Sequence, residues 1–246
     1  MSFSDREERI LNILRERNSI RCSELAKLLY VSVSTLRRDL EKLEDKDFVV
    51  REHGSCQLSS KLRDDKYSYN MREQQNGIAK KKIVKEAIKY LKDGSNIMLD
   101  GSSTVFGLLP HFEDFRDLLV ISNSAKVSYA LSGTGIYNIS TGGKMAAKTV
   151  SFVGQEAIQA VKKYNADIFF FSCMGISEDG YLTDMDEDEN DVRREMMAHA
   201  EKVVALVDSS KIGKKFLYNI CHVSEVDAII CETELPDYIR QQVGKK

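Results

Sequence analysis

No run of apolar residues in this chain approaches the roughly 18 needed to cross a bilayer, and its opening stretch, MSFSDREERI, carries charge from the start. Neither a membrane span nor a secretory leader is expected. Cysteine is scarce and unpatterned: Cys22, Cys56, Cys173, Cys221 and Cys231 are odd in number and form no CxxC pair. That argues against a disulfide frame and a zinc site, and for reduced, mostly buried thiols in a cytoplasmic protein. Charge of one sign is lacking too, the net being −2. What is present is an ordinary folded balance, 42 % hydrophobic and 30 % charged, in 246 residues, enough for two modest domains or one large one.

The charge is unevenly spread. Residues 1–60 hold 11 basic and 11 acidic side chains, residues 61–85 hold 8 against 3, and the remainder 17 against 24. The basic segment, with Lys80, Lys81 and Lys82, is either a phosphate-attracting strip beside a DNA reader or a solvated helix start.

Ser4 stands three residues before Glu7, the capping-box spacing, so a helix is predicted over 5–17 with Ile10, Leu11, Ile13 and Leu14 buried. Ser23 is positioned to cap a short second helix burying Leu25, Leu28 and Leu29, and Ser32 a third running to about Leu43. In the third, Val33, Leu36, Leu40 and Leu43 fall on one stripe. The opposite face presents Ser34, Thr35, Arg38 and Lys42, with Arg37 beside the stripe. Such a face suits a recognition helix, because Arg pairs with guanine edges or phosphates and Ser and Thr fit either. Phe48–Arg51 and Cys56–Leu58 flank a turn and read as a β-hairpin, a wing that would bring Arg51 and His53 near a DNA backbone. The plainer alternative is a three-helix scaffold with a charged surface.

The stretch VSVSTLRRDLEKL (Val31–Leu43), followed by His53-Gly54, resembles the DNA-binding domain of the DeoR family of bacterial regulators, with its signature near VSxxTxRRDLxxL. Ser55 stands where that family usually has a second glycine. The resemblance implies a winged helix-turn-helix over 1–57 that binds double-stranded operator DNA.

Residues 58–77 are polar, proline-free and without apolar periodicity, and are expected to connect it to a second domain over 78–246. There an amphipathic helix (Ile83, Val84, Ala87, Ile88, Leu91) stops at Asp93-Gly94. Short apolar runs follow at 96–99, 118–121, 136–139, 167–171, 203–207 and 228–230, with helical patterns at 124–131, 151–163, 190–200 and 235–242 between most of them. The alternation predicts an α/β domain, a mostly parallel sheet covered on both faces, so that ligands would bind beyond the carboxyl ends of its strands.

Those ends carry Asp100-Gly101-Ser102-Ser103-Thr104, Ser122-Asn123-Ser124, Gly142-Gly143-Lys144, Ser172-Cys173-Met174-Gly175 and Asp208-Ser209-Ser210-Lys211. Small and hydroxylic residues let backbone amides approach an anion, Lys211 would add a positive charge, and Asp100 could accept from sugar hydroxyls. Each piece alone reads as an ordinary turn; their convergence on one edge suggests a site. Asp100–Thr104, Ser122–Ser124, Gly142-Gly143, Glu189 with Arg193-Arg194, and DSSKIGK (Asp208–Lys214) also resemble the DeoR family's effector domain. Ser102 departs from the family's commoner glycine. The resemblance implies a ribose-phosphate isomerase-like fold that binds a phosphorylated sugar or related metabolite, with Glu189 turned inward. The acidic run Asp184–Glu189 lacks the EF-hand spacing and glycine and is expected to be a solvated loop.

The expected function is a repressor of carbohydrate genes gated by a sugar phosphate, with no catalytic residue, metal or cofactor, acting as a dimer or tetramer because helix-turn-helix proteins bind paired half-sites. The alternative is a sugar-phosphate isomerase using Asp100, Glu189 or Asp208 as base, although fold alone does not establish chemistry. An RNA-binding role is disfavoured, as no aromatics for base stacking interleave the basic residues.

Overall fold

A computed structural model describes residues 5–17, 19–52, 54–59 and 69–245. The chain divides into two compact units, Met1–Gly77 and Ile78–Lys246. No helix among the described residues is long and apolar enough to cross a membrane.

The first unit runs α1 (Asp5–Arg17), β1 (Ser19–Arg21), α2 (Cys22–Leu28), α3 (Val33–Asp45), β2 (Val49–Glu52), β3 (Ser55–Leu58) and α4 (Tyr69–Gln74). Its core joins Ile10, Leu11 and Leu14 of α1 to Leu25 of α2, Leu36, Leu40 and Leu43 of α3, and Val49 and Cys56 of the sheet. Ser32 caps α3 as its sequence predicts, its hydroxyl accepting from the Thr35 amide at 3.1 Å. Ser4, half of the expected capping box on α1, lies outside the described residues.

Four details differ from the sequence reading. Ser23 does not cap α2, which starts one residue earlier. The antiparallel sheet has a third strand, β1, in the order β1-β3-β2, and β1 leads directly into α2. The Cys22 amide, left without an intrahelical partner, donates to Gly54 O of the wing at 2.9 Å. Val33 and Leu28 are exposed, so the buried stripe of α3 begins at Leu36. The stretch expected as a connector contains α4.

Helix α2 ends in a Schellman arrangement, with Tyr30 N donating to Lys27 O and Val31 N to Ala26 O at 3.1 and 3.0 Å. Tyr30 occupies the left-handed position at φ 56°.

The second unit opens with α5 (Gly77–Ala87). Six strands form its central sheet: β4 (Asn96–Leu99), β5 (Leu119–Ser122), β6 (Tyr137–Ser140), β9 (Ala166–Phe171), β12 (Ala200–Leu206) and β14 (Ala228–Ile230). Their order is β14-β12-β9-β4-β5-β6 and every neighbouring pair is parallel. Between them lie β7 (Lys144–Ala146), β8 (Ser151–Val153), β10 (Gly175–Ile176), β11 (Tyr181–Asp184) and β13 (Tyr218–His222). The helices are α6 (Ser103–Phe106), α7 (Ala125–Leu131), α8 (Gln155–Val161), α9 (Glu187–Ala198) and α10 (Asp237–Arg240). Alternate residues of one strand enter opposite cores: Phe169 and Phe171 join Ala157, Val161 and Met196 from α8 and α9, while Ile168 and Phe170 join Ile83, Val84 and Val127 from α5 and α7. A sheet covered on both faces needs such continuous apolar strands.

The helix expected over 151–163 is replaced at its start by β8, which pairs with β7 and takes a bond from Phe152 N to Asn123 O at 2.6 Å. The helix begins only after Gly154, at φ 88°. The acidic run is no solvated loop. Asp184 ends β11 and is buried, Asp186 caps α9 by accepting from Glu189 N at 3.2 Å, and Glu187, Asp188 and Glu189 occupy the first turn, where negative charge suits the helix dipole. Strands β10, β11 and β13 form a separate antiparallel sheet too short-stranded to show a period in sequence.

Val150, in the turn between β7 and β8, has φ 58°, a region that costs an L-residue about 1–2 kcal/mol. The side chain is only partly buried, so little packing opposes its removal. Val150→Gly is expected to raise stability by about 1 kcal/mol, read as an increased urea midpoint. An unchanged or lower midpoint would show that the turn carries no strain.

Candidate DNA-reading helix and strand-edge site

On α3 the cap fixes more than the helix start. Ser32 Oγ lies 2.9 Å from Ser34 Oγ and 2.8 Å from Thr35 Oγ1, so both candidate hydroxyls already belong to the cap cluster. Arg37, Arg38 and Lys42 are exposed. Asp39, on the inner side, is buried and receives both ends of the Arg6 guanidinium fork, which ties α1 to α3; that bond raises the Arg6 pKa.

Arg51 does not stand ready for a phosphate. Its Nε donates to Glu44 Oε2 at 2.8 Å and its backbone amide to Glu44 Oε1 at 3.3 Å, with Glu41 at 3.7 Å. The side-chain bond from Arg51 lowers the Glu44 pKa. Arg51 therefore braces the wing against the end of α3, because two carboxylates one helical turn apart reach it first. His53 lies outside the described residues.

At the other site the parallel sheet brings the expected strand ends to one edge. Asp100 is buried and its carboxylate is fully engaged: Oδ1 accepts from Ser102 N at 3.0 Å, and Oδ2 from Ser172 N at 3.3 Å and Arg193 Nε at 3.0 Å. Gly101 is required there, since a Cβ would come within 1.9 Å of Ser151 Oγ. Ser102 caps α6, its hydroxyl accepting from Val105 N at 3.3 Å, and Thr104 is buried behind it. Ser122 donates to Leu99 O at 2.8 Å and accepts from Ser124 N at 3.0 Å, which fastens β5 to β4. Asn123 donates from Nδ2 to Phe152 O at 3.0 Å, while its Oδ1 is buried with no partner. Gly143, at φ 113°, is exposed, and a Cβ would meet Val153 O at 2.8 Å.

Two lysines enter this edge. Lys211 Nζ donates to Ser172 Oγ at 3.0 Å and lies 3.8 Å from Asp208. Ser172 is also bonded to Asp100, so Lys211 stands one residue from the first loop. The second cation is Lys80, whose Nζ donates to Ser103 Oγ at 3.0 Å. The charge run had suggested Lys80 for DNA or for solvent. Helix α5 packs Ile83 and Val84 inward and thereby turns Lys80 to the loop, whereas Lys81 and Lys82 stay exposed. Only the fold could show this, because 23 residues separate Lys80 from Ser103.

Beneath the edge lies a charged core. Arg193, 2 % exposed, donates to Asp100, to Asp184 Oδ2 at 3.1 Å, to Glu189 Oε2 at 3.0 Å and to Asn190 Oδ1 at 2.8 Å. Burial works against its charge, yet Asp184, Glu189 and Asp100 outweigh burial and raise its pKa. Glu189 does point inward, but toward Arg193. Asp100 Oδ2 and Glu189 Oε2 each accept from the Arg193 guanidinium, so both carboxylates act as positioning groups. Cys173 is buried beside this network, and burial pushes its thiol up to about 12 against the pull of Lys211.

A winged helix-turn-helix followed by an α/β unit with a polar strand edge defines a DNA-binding regulator with a sensing domain. Residues 6–61 match the DeoR-like helix-turn-helix domain and residues 75–233 the DeoR C terminal sensor domain. The chain belongs to the DeoR family and is a transcriptional regulator. It is 34 % identical to the HTH-type transcriptional regulator YulB of Bacillus subtilis, over 100 % of this chain and 95 % of that protein. It is 29 % identical to the L-fucose operon activator of Haemophilus influenzae, over 96 % and 94 %, and 33 % identical to the transcriptional repressor GlcR of B. subtilis, over 91 % and 86 %. Ribose 5-phosphate isomerase A of Methanocaldococcus jannaschii aligns over 56 % of this chain and 55 % of its own at 22 % identity and TM-score 0.40, a partial likeness that transfers no chemistry.

Replacing Arg193 by Met would leave three carboxylates buried without their cation. Breaking a buried pair in this way costs about 3–5 kcal/mol, so Arg193→Met is expected to lower the urea unfolding free energy by at least that amount. A loss under about 1 kcal/mol would mean the carboxylates are solvated rather than held by Arg193.

Proposed function

We propose that this regulator represses carbohydrate-metabolism genes in the cytoplasm, and that a phosphorylated sugar bound at the strand edge controls it. The observation that carries the reading is the pair of ammonium groups, Lys80 on Ser103 and Lys211 on Ser172, set on neighbouring strand-end loops that Asp100 joins. Two cations beside small hydroxylic residues suit a phosphate monoester. The unpartnered Oδ1 of Asn123 supplies a buried acceptor for a sugar hydroxyl. Gly101, Ser102, Ser103, Thr104 and Gly143 keep the edge free of bulky side chains, while Asp100, Ser122 and Glu189 hold it in place. A relative named as an L-fucose operon activator supports sugar control; the relatives carry both activator and repressor names, and repression rests on the one named as a repressor.

On the DNA side, Arg38 and Arg37 at the exposed face of α3 would read bases or phosphates, with Lys42 further along and Ser34 and Thr35 near the cap. A homo-oligomer, dimer or tetramer, would place two such helices on paired half-sites. The isomerase alternative is weakened because Asp100 and Glu189, two of its possible bases, are paired with a buried guanidinium.

Calorimetric titration with a panel of sugar phosphates tests the sensor. Lys80→Ala and Lys211→Ala are each expected to weaken the best ligand by about one to two decades, since a charge-assisted bond contributes about 1.5–3 kcal/mol. Operator affinity without ligand should stay unchanged. Binding of no phosphorylated sugar to the wild type would sink the sensor reading. Gel-shift titration tests the reading head: Arg38→Ala should lose about 1–3 kcal/mol of operator affinity, and equal affinity would remove Arg38 from the interface.

A further inference from the structure

Helix α3 begins with an apolar residue that the core does not use. Val33, its first residue, is 49 % exposed, and the buried stripe starts one turn later at Leu36. The hydroxyls of Ser32, Ser34 and Thr35 are gathered on one another at the cap. The first turn therefore offers the branched methyls of Val33 next to the exposed Arg37, one turn further on. A second apolar group lies just before it: Tyr30 is 92 % exposed although its backbone is left-handed, at φ 56°. A Schellman turn takes glycine there without strain, and a tyrosine that gains no burial from the fold is held at a cost the fold does not recover. Outliers of this kind motivate a search for function.

In helix-turn-helix complexes the first residues of the recognition helix meet base edges in the major groove. The apolar group on those edges is the 5-methyl of thymine. We propose that Val33 reads the 5-methyl group of one thymine in each operator half-site, with Tyr30 flanking the same contact on the solvent side. This rests on the reading of α3 as the recognition helix. Apolar contact removes water from both partners at once, and the neighbouring arginines supply the attraction that brings the surfaces together.

Replacing thymine by deoxyuracil removes that methyl and leaves the base pairing intact. An operator would be selected from a random duplex pool with the full-length protein, and each thymine then replaced in turn. Wild type should lose about fourfold in affinity at one position per half-site, the equivalent of one buried methyl. Val33→Ala should bind the thymine and deoxyuracil duplexes equally at that position, with its melting temperature unchanged. Val33→Ile should keep the discrimination. A double variant, Arg37→Ala with Arg38→Ala, tests the premise separately: if it binds the operator like wild type, the recognition-helix reading itself fails. If that double variant is weakened but no deoxyuracil position matters, or if Val33→Ala discriminates as wild type does, the thymine contact is overturned.

Discussion

The second unit depends on one buried cation. Arg193 sits under the carboxyl edge of the sheet and gathers carboxylates from three places: Asp100 after β4, Asp184 at the end of β11, and Glu189 one turn before it on α9. A buried ion pair is weak evidence of net stability, because desolvation offsets much of the attraction. Its effect is geometric. A guanidinium has donors in a fixed planar fork, so three elements that share it cannot shift independently. Asp100 passes that constraint on through the amides of Ser102 and Ser172 to the loops carrying Ser103 and the Lys211 contact.

This arrangement explains why the strand edge can be lined with small residues and still be ordered. Serines and glycines have little side chain to pack, so their positions must be set from behind. Gly101 is pressed against Ser151, Ser122 binds Leu99 O, and Gly143 lies close against Val153 O. The lysines enter last, from α5 and from the loop after β12, and each meets a serine hydroxyl rather than a carboxylate of the Arg193 network. The lysines and the buried Arg193 network thereby draw on different partners, although both lie within a few residues of one another.

The first unit follows the same division by other means. Arg6 to Asp39 and Arg51 to Glu44 hold α1 and the wing on α3, while Arg37, Arg38 and Lys42 remain exposed. Basic residues of similar appearance thus serve opposite ends. The difference lies in whether a carboxylate stands within reach, which is a property of the packed helices and not of the arginine.

The sequence by itself determined the helices and strands that carry a long or repeated apolar signal. The Leu36/Leu40/Leu43 stripe, the Ser32 cap and all six strands of the parallel sheet were legible, because period and run length depend on local chemistry. So was the candidate edge, since parallel strands carry their following loops to one side. The tertiary structure alone decided which charged residues face which partner. Lys80 reads as part of a lysine run until α5 docks and turns it to Ser103; Arg51 reads as a wing cation until Glu44 meets it; and the acidic run reads as a loop until Arg193 draws Asp184 and Glu189 inward. β1, the β7–β8 hairpin and the β10-β11-β13 sheet were likewise invisible, because strands of two to five residues have no period of their own and exist through pairing with segments distant in the chain.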